Sequence, residues 1–202
     1  MNRRAMMKHS AFAAALLVAS VAVTGCNASG PAERPPLEGA AIGGAFTLID
    51  RNGATVRWDD FAGKYRTVYF GYTFCPDACP LDMQVLMQGF ARFAKDNPQL
   101  AGKVQPIFIS IDPARDTPKA VGEFTDAFSP RLLGLTGTPA QVDQAAKAFA
   151  APYGRGKDTA GGYLMDHPRI AYLMGPNGEP IAMLPVDQKP ADVAAELAKW
   201  VH

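Results

Sequence analysis

Apolar residues recur along the chain in two patterns, short continuous runs and stripes at helical spacing. The runs predict strands over residues 46–49, 55–58, 67–72, 104–111, 131–135, 170–174 and 181–184. The stripes predict helices over residues 81–94, 117–128 and 190–201, and Thr138-Pro139-Ala140-Gln141 has the capping chemistry of a further helix start. Asn52-Gly53 and Pro176-Asn177-Gly178 are turn sequences, so each of them predicts a β-hairpin.

The order of these elements predicts an α/β domain with a mixed central sheet. Two cysteines, Cys75 and Cys79, stand where the first helix begins, which suggests a three-layer, thioredoxin-like fold. The N-terminal hairpin and an inserted helix near Thr117 are additions to the minimal plan of that fold. Over residues 112–118 we expect a strand-to-helix turn with a buried Arg115–Asp116 ion pair, and recognition of a partner is the alternative role of this segment.

The first 25 residues have the pattern of a lipoprotein signal peptide. Three basic residues precede an apolar core over residues 11–23, which is shorter than the about 20 residues of a membrane-spanning helix. Val23-Thr24-Gly25-Cys26 then resembles the lipobox of bacterial lipoproteins, in which the cysteine is lipidated and becomes the first mature residue. We therefore expect a lipid on Cys26 and a membrane-anchored protein on the periplasmic side of the cell envelope. An ordinary cleaved signal and an uncleaved anchor are the alternatives.

Composition divides the rest of the chain into two parts. Residues 26–44 are rich in Gly, Ala, Pro and Glu and have no apolar period, so they predict a flexible tether. Residues 45–202 have the size of one domain with a hydrophobic core. The 20 basic and 19 acidic side chains are scattered and give a net charge of +1, which argues against a nucleic-acid partner.

The candidate chemistry centres on residues 68–88, where a buried strand, a proline-containing loop and a helix follow one another. Pro80 suits the first position of a helix, which would place Cys79 beside the helix N-terminus. There the helix dipole favours a thiolate, the form that binds soft metals and exchanges disulfides. A structural disulfide or an inert pair of thiols is the alternative interpretation. Outside the cytoplasm, Cys75 and Cys79 would need a reductant to stay reduced.

A metal bound by two thiolates needs a further ligand, and histidine is scarce in this chain. His9 lies in the signal and His202 is the last residue, so His167 is the candidate within the domain. Two thiolates suit Cu(I), and an added imidazole lets the site accept Cu(II). Zinc also accepts such a set, although structural zinc sites usually have a fourth protein ligand. Asp166 is a candidate for orienting the imidazole.

Four separated motifs resemble those of the Sco/SenC family, the copper chaperones for cytochrome c oxidase. They are Gly-Tyr-Thr-Phe-Cys-Pro-Asp-Ala-Cys-Pro at residues 71–80, Ile-Ser-Ile-Asp-Pro-Ala-Arg-Asp-Thr-Pro at 109–118, Leu-Thr-Gly-Thr-Pro at 135–139, and Asp-His at 166–167. They occur in the order that the family has. The resemblance covers nearly the whole domain from about Phe46 onward.

The resemblance implies a thioredoxin-like fold and copper, as Cu(I) and Cu(II), held by Cys75, Cys79 and His167. It implies delivery of copper to the binuclear copper site of the oxidase, or reduction of the cysteines in that site. The copper-receiving subunit of the oxidase is the expected partner, and other copper chaperones or thiol reductants are further candidates. The chain departs from the family in Pro168, which follows the histidine, and in an anchor that resembles a lipidated cysteine.

A thiol–disulfide reductase that acts through Cys75 and Cys79 outside the cytoplasm is the alternative function. It would make the chain an enzyme instead of a non-enzymatic chaperone, and it has no need of His167. A peroxidase of the peroxiredoxin type is a weaker alternative, because the chain lacks a Pro-x-x-x-Thr-x-x-Cys run.

Overall fold

The computed structural model describes residues 33–202, and Arg34–His202 form one compact unit. The signal peptide and the lipidation of Cys26 lie outside the described residues and stay predictions. Within residues 33–202, no helix combines the length and the apolar character that a membrane span requires.

Strands and helices follow one another in the predicted alternation. The strands are β1 (Thr47–Ile49), β2 (Thr55–Arg57), β3 (Tyr65–Gly71), β4 (Val104–Ser110), β5 (Leu133–Leu135), β6 (Gly154–Thr159), β7 (Gly162–Asp166), β8 (Ala171–Met174) and β9 (Pro180–Leu184). The helices are α1 (Ala78–Asp96), α2 (Pro98–Ala101), α3 (Pro118–Asp126), α4 (Pro139–Ala148) and α5 (Pro190–Trp200), with a 3₁₀ turn over Trp58–Phe61. Thr138 and Gln141 form the predicted capping box of α4.

The central sheet has the strand order β5-β4-β3-β8-β9. β3, β4 and β5 run parallel, whereas β8 is antiparallel to both of its neighbours. Parallel neighbours need crossover connections, and α1 and α3 lie in these connections. The predicted mixed sheet is confirmed, and so are the hairpin β1–β2 and the inserted helix α3 as additions to a thioredoxin-like plan.

Alternating side chains of β3 divide the core between the two faces of the sheet. On one face Tyr69 donates a hydrogen bond to Asp82 of α1, and α5 packs against α1. On the other face the Phe70 ring lies 5.5 Å from that of Phe149, which follows α4 and also contacts Trp58. The sheet therefore lies between two layers, which gives the three-layer arrangement.

The compact unit begins earlier than the predicted boundary at residue 45. Leu37 donates a backbone hydrogen bond to Ile181 of β9, and Gly43 donates one to Ala148 of α4. Gly43 has a φ of +100°, and a Cβ atom there would come within 2.6 Å of Met174 Cε. The small residues of this segment allow close packing on the core, so the tether prediction does not hold for residues 34–44.

The hairpin β6–β7 is absent from the sequence prediction. Its first strand carries polar and charged residues and is mostly exposed, so no apolar alternation reveals it. Backbone pairing joins the two strands, with an irregularity between Arg155 and Asp158. Because β7 ends at Asp166, this hairpin leads directly into His167 and sets how that residue approaches the sheet.

Candidate metal centre

The predicted site residues meet at the carboxyl edge of the parallel strands. β3 ends at Gly71 and pairs with β4, which ends at Ser110, so the loops after both strands emerge side by side. The first loop carries Cys75 and leads to Cys79 in α1, and His167 arrives from the end of β7. Ligand sites of open α/β sheets form at this edge.

Asp116 connects the cysteine loop, residues 72–77, to the loop that follows β4. Its carboxylate accepts hydrogen bonds from Thr73 N at 3.0 Å, Thr73 Oγ1 at 2.7 Å and Ser110 Oγ at 2.6 Å. Burial raises the pKa of this carboxyl group. The predicted Arg115–Asp116 ion pair is therefore wrong, because Asp116 bonds to the hydroxyl and amide groups and Arg115 pairs with Asp112 instead.

The two thiols are both free, and they differ in environment. α1 begins at Ala78, so Pro80 is the third helical residue and not the first, as the sequence predicts. The first turn of the helix is directed at Cys75, whose Sγ accepts a hydrogen bond from Cys79 N at 3.3 Å. Cys75 is half-buried, whereas Cys79 is fully buried.

These contacts separate the acidities of the two thiols. Hydrogen bonding from Cys79 lowers the pKa of Cys75 well below the ordinary thiol value. The hydrogen bond to Cys75, together with burial, raises the pKa of Cys79. The predicted stabilised thiolate at Cys79 is therefore wrong, and the thiolate belongs to Cys75.

His167 lies against the buried thiol. Its Nε2 is 3.3 Å from Cys79 Sγ, and its Nδ1 is 3.1 Å from the carbonyl oxygen of Pro168. A carbonyl oxygen can only accept a hydrogen bond, so Nδ1 carries the ring proton and Nε2 faces the sulfur. Pro168 thus orients the imidazole. The Asp166 carboxylate, which the sequence suggests for this role, lies next to Gly156 instead.

Aromatic rings enclose the imidazole. The rings of Tyr69 and Tyr72 meet it edge-on, with centroid distances of 6.1 Å and 5.9 Å. Gly71 between these tyrosines leaves room for the buried sulfur, because a Cβ atom at Gly71 would lie 3.1 Å from Cys79 Sγ. Burial raises the pKa of Tyr72 to about 12, so its hydroxyl stays neutral at physiological pH.

A buried ion pair beside the site is missing from the sequence prediction. The fully buried Asp82 accepts hydrogen bonds from Tyr69 Oη at 2.8 Å, from Arg169 Nε at 3.0 Å and from Arg169 Nη2. The available signal is the position of Asp82 within the apolar stripe of α1, three residues after Cys79. A carboxylate in such a stripe needs a partner.

A second network that the sequence prediction missed joins the hairpin to the cysteine loop. The Arg115 guanidinium lies 3.6 Å from the centroid of the Tyr163 ring and 4.9 Å from that of Phe74. Arg115 also donates a hydrogen bond to the carbonyl oxygen of Tyr163 at 2.8 Å, and the Tyr163 hydroxyl donates one to Asp112 at 2.9 Å. Arg115 therefore holds β7 against the loop that carries Cys75.

The three predicted ligands are neighbours without forming a closed coordination shell. Among the residues that the structure describes, no three His, Cys or carboxylate side chains are already arranged as a metal-binding group. The 3.3 Å between Cys79 Sγ and His167 Nε2 nevertheless suits a chelating pair. With bonds of about 2.3 Å to sulfur and about 2.0 Å to nitrogen, two ligands of one tetrahedral ion lie about 3.5 Å apart.

The model of the SCO1/SenC family matches residues 34–202. The chain belongs to the SCO1/SenC family. The match covers the whole compact unit, including the cysteine loop and His167, and it confirms the resemblance found in the sequence motifs.

Three similar proteins illustrate the relationship. Protein SenC of Rhodobacter capsulatus is 47% identical over 140 residues, which are 68% of this chain and 60% of that protein. The mitochondrial SCO1 homolog of Homo sapiens is 38% identical over 158 residues, 78% of this chain and 52% of that protein. The copper-bound structure of Bradyrhizobium japonicum ScoI has 35% identity and a TM-score of 0.71, and covers 79% of this chain and 99% of that one. The chain thus spans little more than half the length of the first two relatives, and the structural match confirms the thioredoxin-like fold.

Proposed function

We propose that this SCO1/SenC chain binds copper through Cys75, Cys79 and His167 and delivers it to the binuclear copper site of cytochrome c oxidase. The observation that carries the proposal is the direct contact between Cys79 and His167, next to Cys75. A relative with 35% identity and the same fold is known with copper bound. Thiolates suit Cu(I), and imidazole nitrogen extends the donor set to Cu(II).

The hydrogen bonds prepare the donor atoms for a metal cargo. Cys75 favours the thiolate at neutral pH, because its hydrogen bonds lower its pKa. His167 directs its Nε2 at Cys79, since the hydrogen bond to the Pro168 carbonyl oxygen engages Nδ1. Cys79 keeps its proton in the free protein, so this proton must leave when its sulfur binds the metal.

Copper transfer to the soluble copper-receiving domain of the oxidase tests the proposal. The copper-loaded chain is mixed anaerobically with the metal-free, reduced domain, and the visible absorption of the filled binuclear site is followed. We expect transfer from the wild-type chain and a large loss with Cys75→Ser, Cys79→Ser or His167→Ala. Binding of one equivalent of copper without any transfer would contradict delivery.

A thiol–disulfide reductase is the second candidate function, and the unequal exposure of the thiols favours it. The accessible Cys75 thiolate would attack one sulfur of a disulfide in the partner and form a mixed disulfide, releasing one partner thiolate. The buried Cys79, after losing its proton, would attack Cys75 Sγ and release the second partner thiolate. The chain would end with a Cys75–Cys79 disulfide, and the partner would gain two electrons as two thiols.

The same partner domain in its oxidised form separates the two functions. A reductase should reduce that domain stoichiometrically without copper, and His167→Ala should do so as well as the wild type. A chaperone should need His167 and should move copper into the reduced domain. Thiol titration of the domain after mixing, alongside its copper content, distinguishes these results.

We further propose that lipidation of Cys26 anchors the chain to the membrane on the periplasmic side of the cell envelope. The lipobox-like Val23-Thr24-Gly25-Cys26 supports this placement. The wild-type protein should sediment with membranes and carry acyl mass at Cys26, and Cys26→Ser should lack that mass. An unacylated mature N-terminus in the wild type would overturn the anchor.

A further inference from the structure

Asp82 and Arg169 connect two of the proposed ligands, Cys79 and His167, through contacts that do not involve the metal position. Asp82 lies one turn after Cys79 on α1, and Arg169 lies two residues after His167. The Arg169 guanidinium donates to both carboxylate oxygens of Asp82. Cys79, Asp82, Arg169 and His167 therefore form a closed ring, which the contact between Cys79 Sγ and His167 Nε2 completes at 3.3 Å.

Tyr69 contacts two of these four residues, Asp82 and His167. Its hydroxyl donates to Asp82 at 2.8 Å, and its ring meets the His167 imidazole edge-on at 6.1 Å. Strand β3 holds Tyr69 opposite Ala171 of β8, two residues after Arg169. The ion pair and the tyrosine together limit where the imidazole can lie.

The segment that carries the histidine has no regular backbone pairing of its own. Residues 167–170 belong to no helix or strand, and they connect β7 to β8. Arg169 is 48% exposed, whereas its partner Asp82 is completely buried. A planar guanidinium that binds a carboxylate through two nitrogens fixes orientation as well as distance, which an ammonium group cannot do.

We propose that the Arg169–Asp82 pair, with Tyr69, is a positioning device that holds His167 Nε2 against Cys79 and so sets the affinity for Cu(II). This inference rests on the proposed copper site. Cu(I) is satisfied by Cys75 and Cys79, so its binding should depend little on Arg169. Cu(II) needs the imidazole nitrogen, so its binding should weaken when the ring is no longer held.

The test compares Arg169→Gln with a matched control, Arg51→Gln, in the full mature chain. Arg51 forms a similar two-nitrogen pair with Asp126 and is 41% exposed, but it lies between the N-terminal hairpin and α3. Titration with Cu(II) and with Cu(I), each anaerobic and starting from the reduced protein, gives the two affinities. We expect Arg169→Gln to weaken Cu(II) binding about tenfold or more and to change Cu(I) binding less than about twofold. Arg51→Gln should leave both affinities unchanged.

A measurement on the metal-free protein keeps the inference separate from the proposed function. In the reduced wild type, nuclear Overhauser contacts should connect the His167 ring to the Tyr69 and Tyr72 rings. Arg169→Gln should lose or weaken these contacts, and Arg51→Gln should keep them. If the wild type binds no copper, the proposed function fails, while these ring contacts still decide whether Arg169 positions the histidine.

Two further variants keep the test decisive if Arg169→Gln fails to fold. The double variant Asp82→Asn with Arg169→Gln removes the buried charge together with its partner, so it should fold and still show loosened ring contacts and weak Cu(II) binding. Arg169→Lys keeps the charge without the two-nitrogen geometry and should give an intermediate Cu(II) affinity. Wild-type ring contacts and Cu(II) affinity in the double variant would overturn the proposal.

Discussion

At the scale of single residues, the two thiols of the Cys-x-x-x-Cys loop differ in burial and in acidity. Cys75 is half-buried and its pKa is lowered by its hydrogen bonds, whereas Cys79 is buried and its pKa is raised. Reactivity in the reduced, metal-free protein should therefore be strongly unequal. This inequality follows from the position of the loop at the start of α1, not from the spacing of the cysteines.

Alkylation kinetics test this inequality directly. In the reduced protein, iodoacetamide should modify Cys75 first, and its rate should change little between pH 8 and pH 6, because the thiolate persists as pH falls. An ordinary thiol with a pKa near 8.5 would lose reactivity about tenfold per pH unit below about pH 7.5. Peptide mass spectrometry locates the modified residue. A faster reaction at Cys79, or a tenfold loss per unit at Cys75, would contradict the assignment.

Gly71 leaves the space that the buried sulfur occupies. A Cβ atom there would come within 2.9 Å of the Phe108 and Tyr69 rings and within 3.1 Å of Cys79 Sγ. Gly71→Ala should therefore lower the free energy of unfolding by about 1–3 kcal/mol, as overpacked core substitutions do. Gly161→Ala is the matched control, because nothing lies within 4 Å of its added methyl, and it should change stability by less than about 0.5 kcal/mol. Urea unfolding of both variants gives the comparison, and equal stabilities would show that the site tolerates a Cβ atom.

The sequence identifies the candidate metal ligands but not the residues that hold these ligands in place. Cys75, Cys79 and His167 stand out because cysteine and histidine are scarce in the domain. The partner of Arg115 could not be read from adjacency, since the fold turns Asp116 towards Thr73 and leaves Asp112 for the arginine. The contact between Asp116 and Thr73 joins residues that are 43 positions apart, and no local pattern encodes it.

At the scale of elements, the hairpin β6–β7 contacts the loop that carries Cys75 through one side chain. Arg115 supplies the connection through the Tyr163 ring and carbonyl oxygen and through the ring of Phe74. Phe74 is 53% exposed, so the arginine also covers part of an apolar surface next to Cys75. We therefore expect the hairpin and the loop to loosen together when Arg115 is removed.

Hydrogen exchange measures this coupling. Arg115→Gln should speed amide exchange in residues 154–166 about tenfold or more, because hydrogen bonds to charged groups contribute about 1.5–3 kcal/mol. Arg51→Gln, which breaks an exposed pair at another place, should leave that exchange unchanged. Unchanged protection of β7 in Arg115→Gln would show that backbone pairing alone holds the hairpin.

The sequence predicts the buried strands better than the exposed ones. Strands β3 and β4 are buried and mostly apolar, and the hairpins at Asn52-Gly53 and at Pro176-Asn177-Gly178 carry local turn signals, so the sequence predicts all of them. The polar hairpin β6–β7 carries no such pattern, and residues 34–44 have the composition of a linker although they pack on the core. Backbone hydrogen bonds determine the structure of both segments. Neither segment has an apolar pattern from which this structure could be predicted.

At the scale of the whole molecule, the proposed copper binding and the proposed thiol–disulfide exchange would use the same two sulfurs and would therefore exclude each other. A Cys75–Cys79 disulfide offers no thiolate, so the fully oxidised chain should bind Cu(I) at least about a hundredfold more weakly than the reduced chain. Competition with a chromophoric Cu(I) chelator gives both affinities. One tight equivalent of Cu(I) on the oxidised protein would place the metal at other donors.

We propose that His167 completes a copper site with Cys75 and Cys79, and a paired copper titration of His167→Ala tests this site. We expect the variant to lose most of the thiolate–Cu(II) charge-transfer absorption while it still binds one equivalent of Cu(I). Its melting temperature without metal should stay close to that of the wild type, so the loss belongs to the metal site and not to the fold. An unchanged Cu(II) spectrum would contradict the three-ligand site and favour the two-thiol reductase.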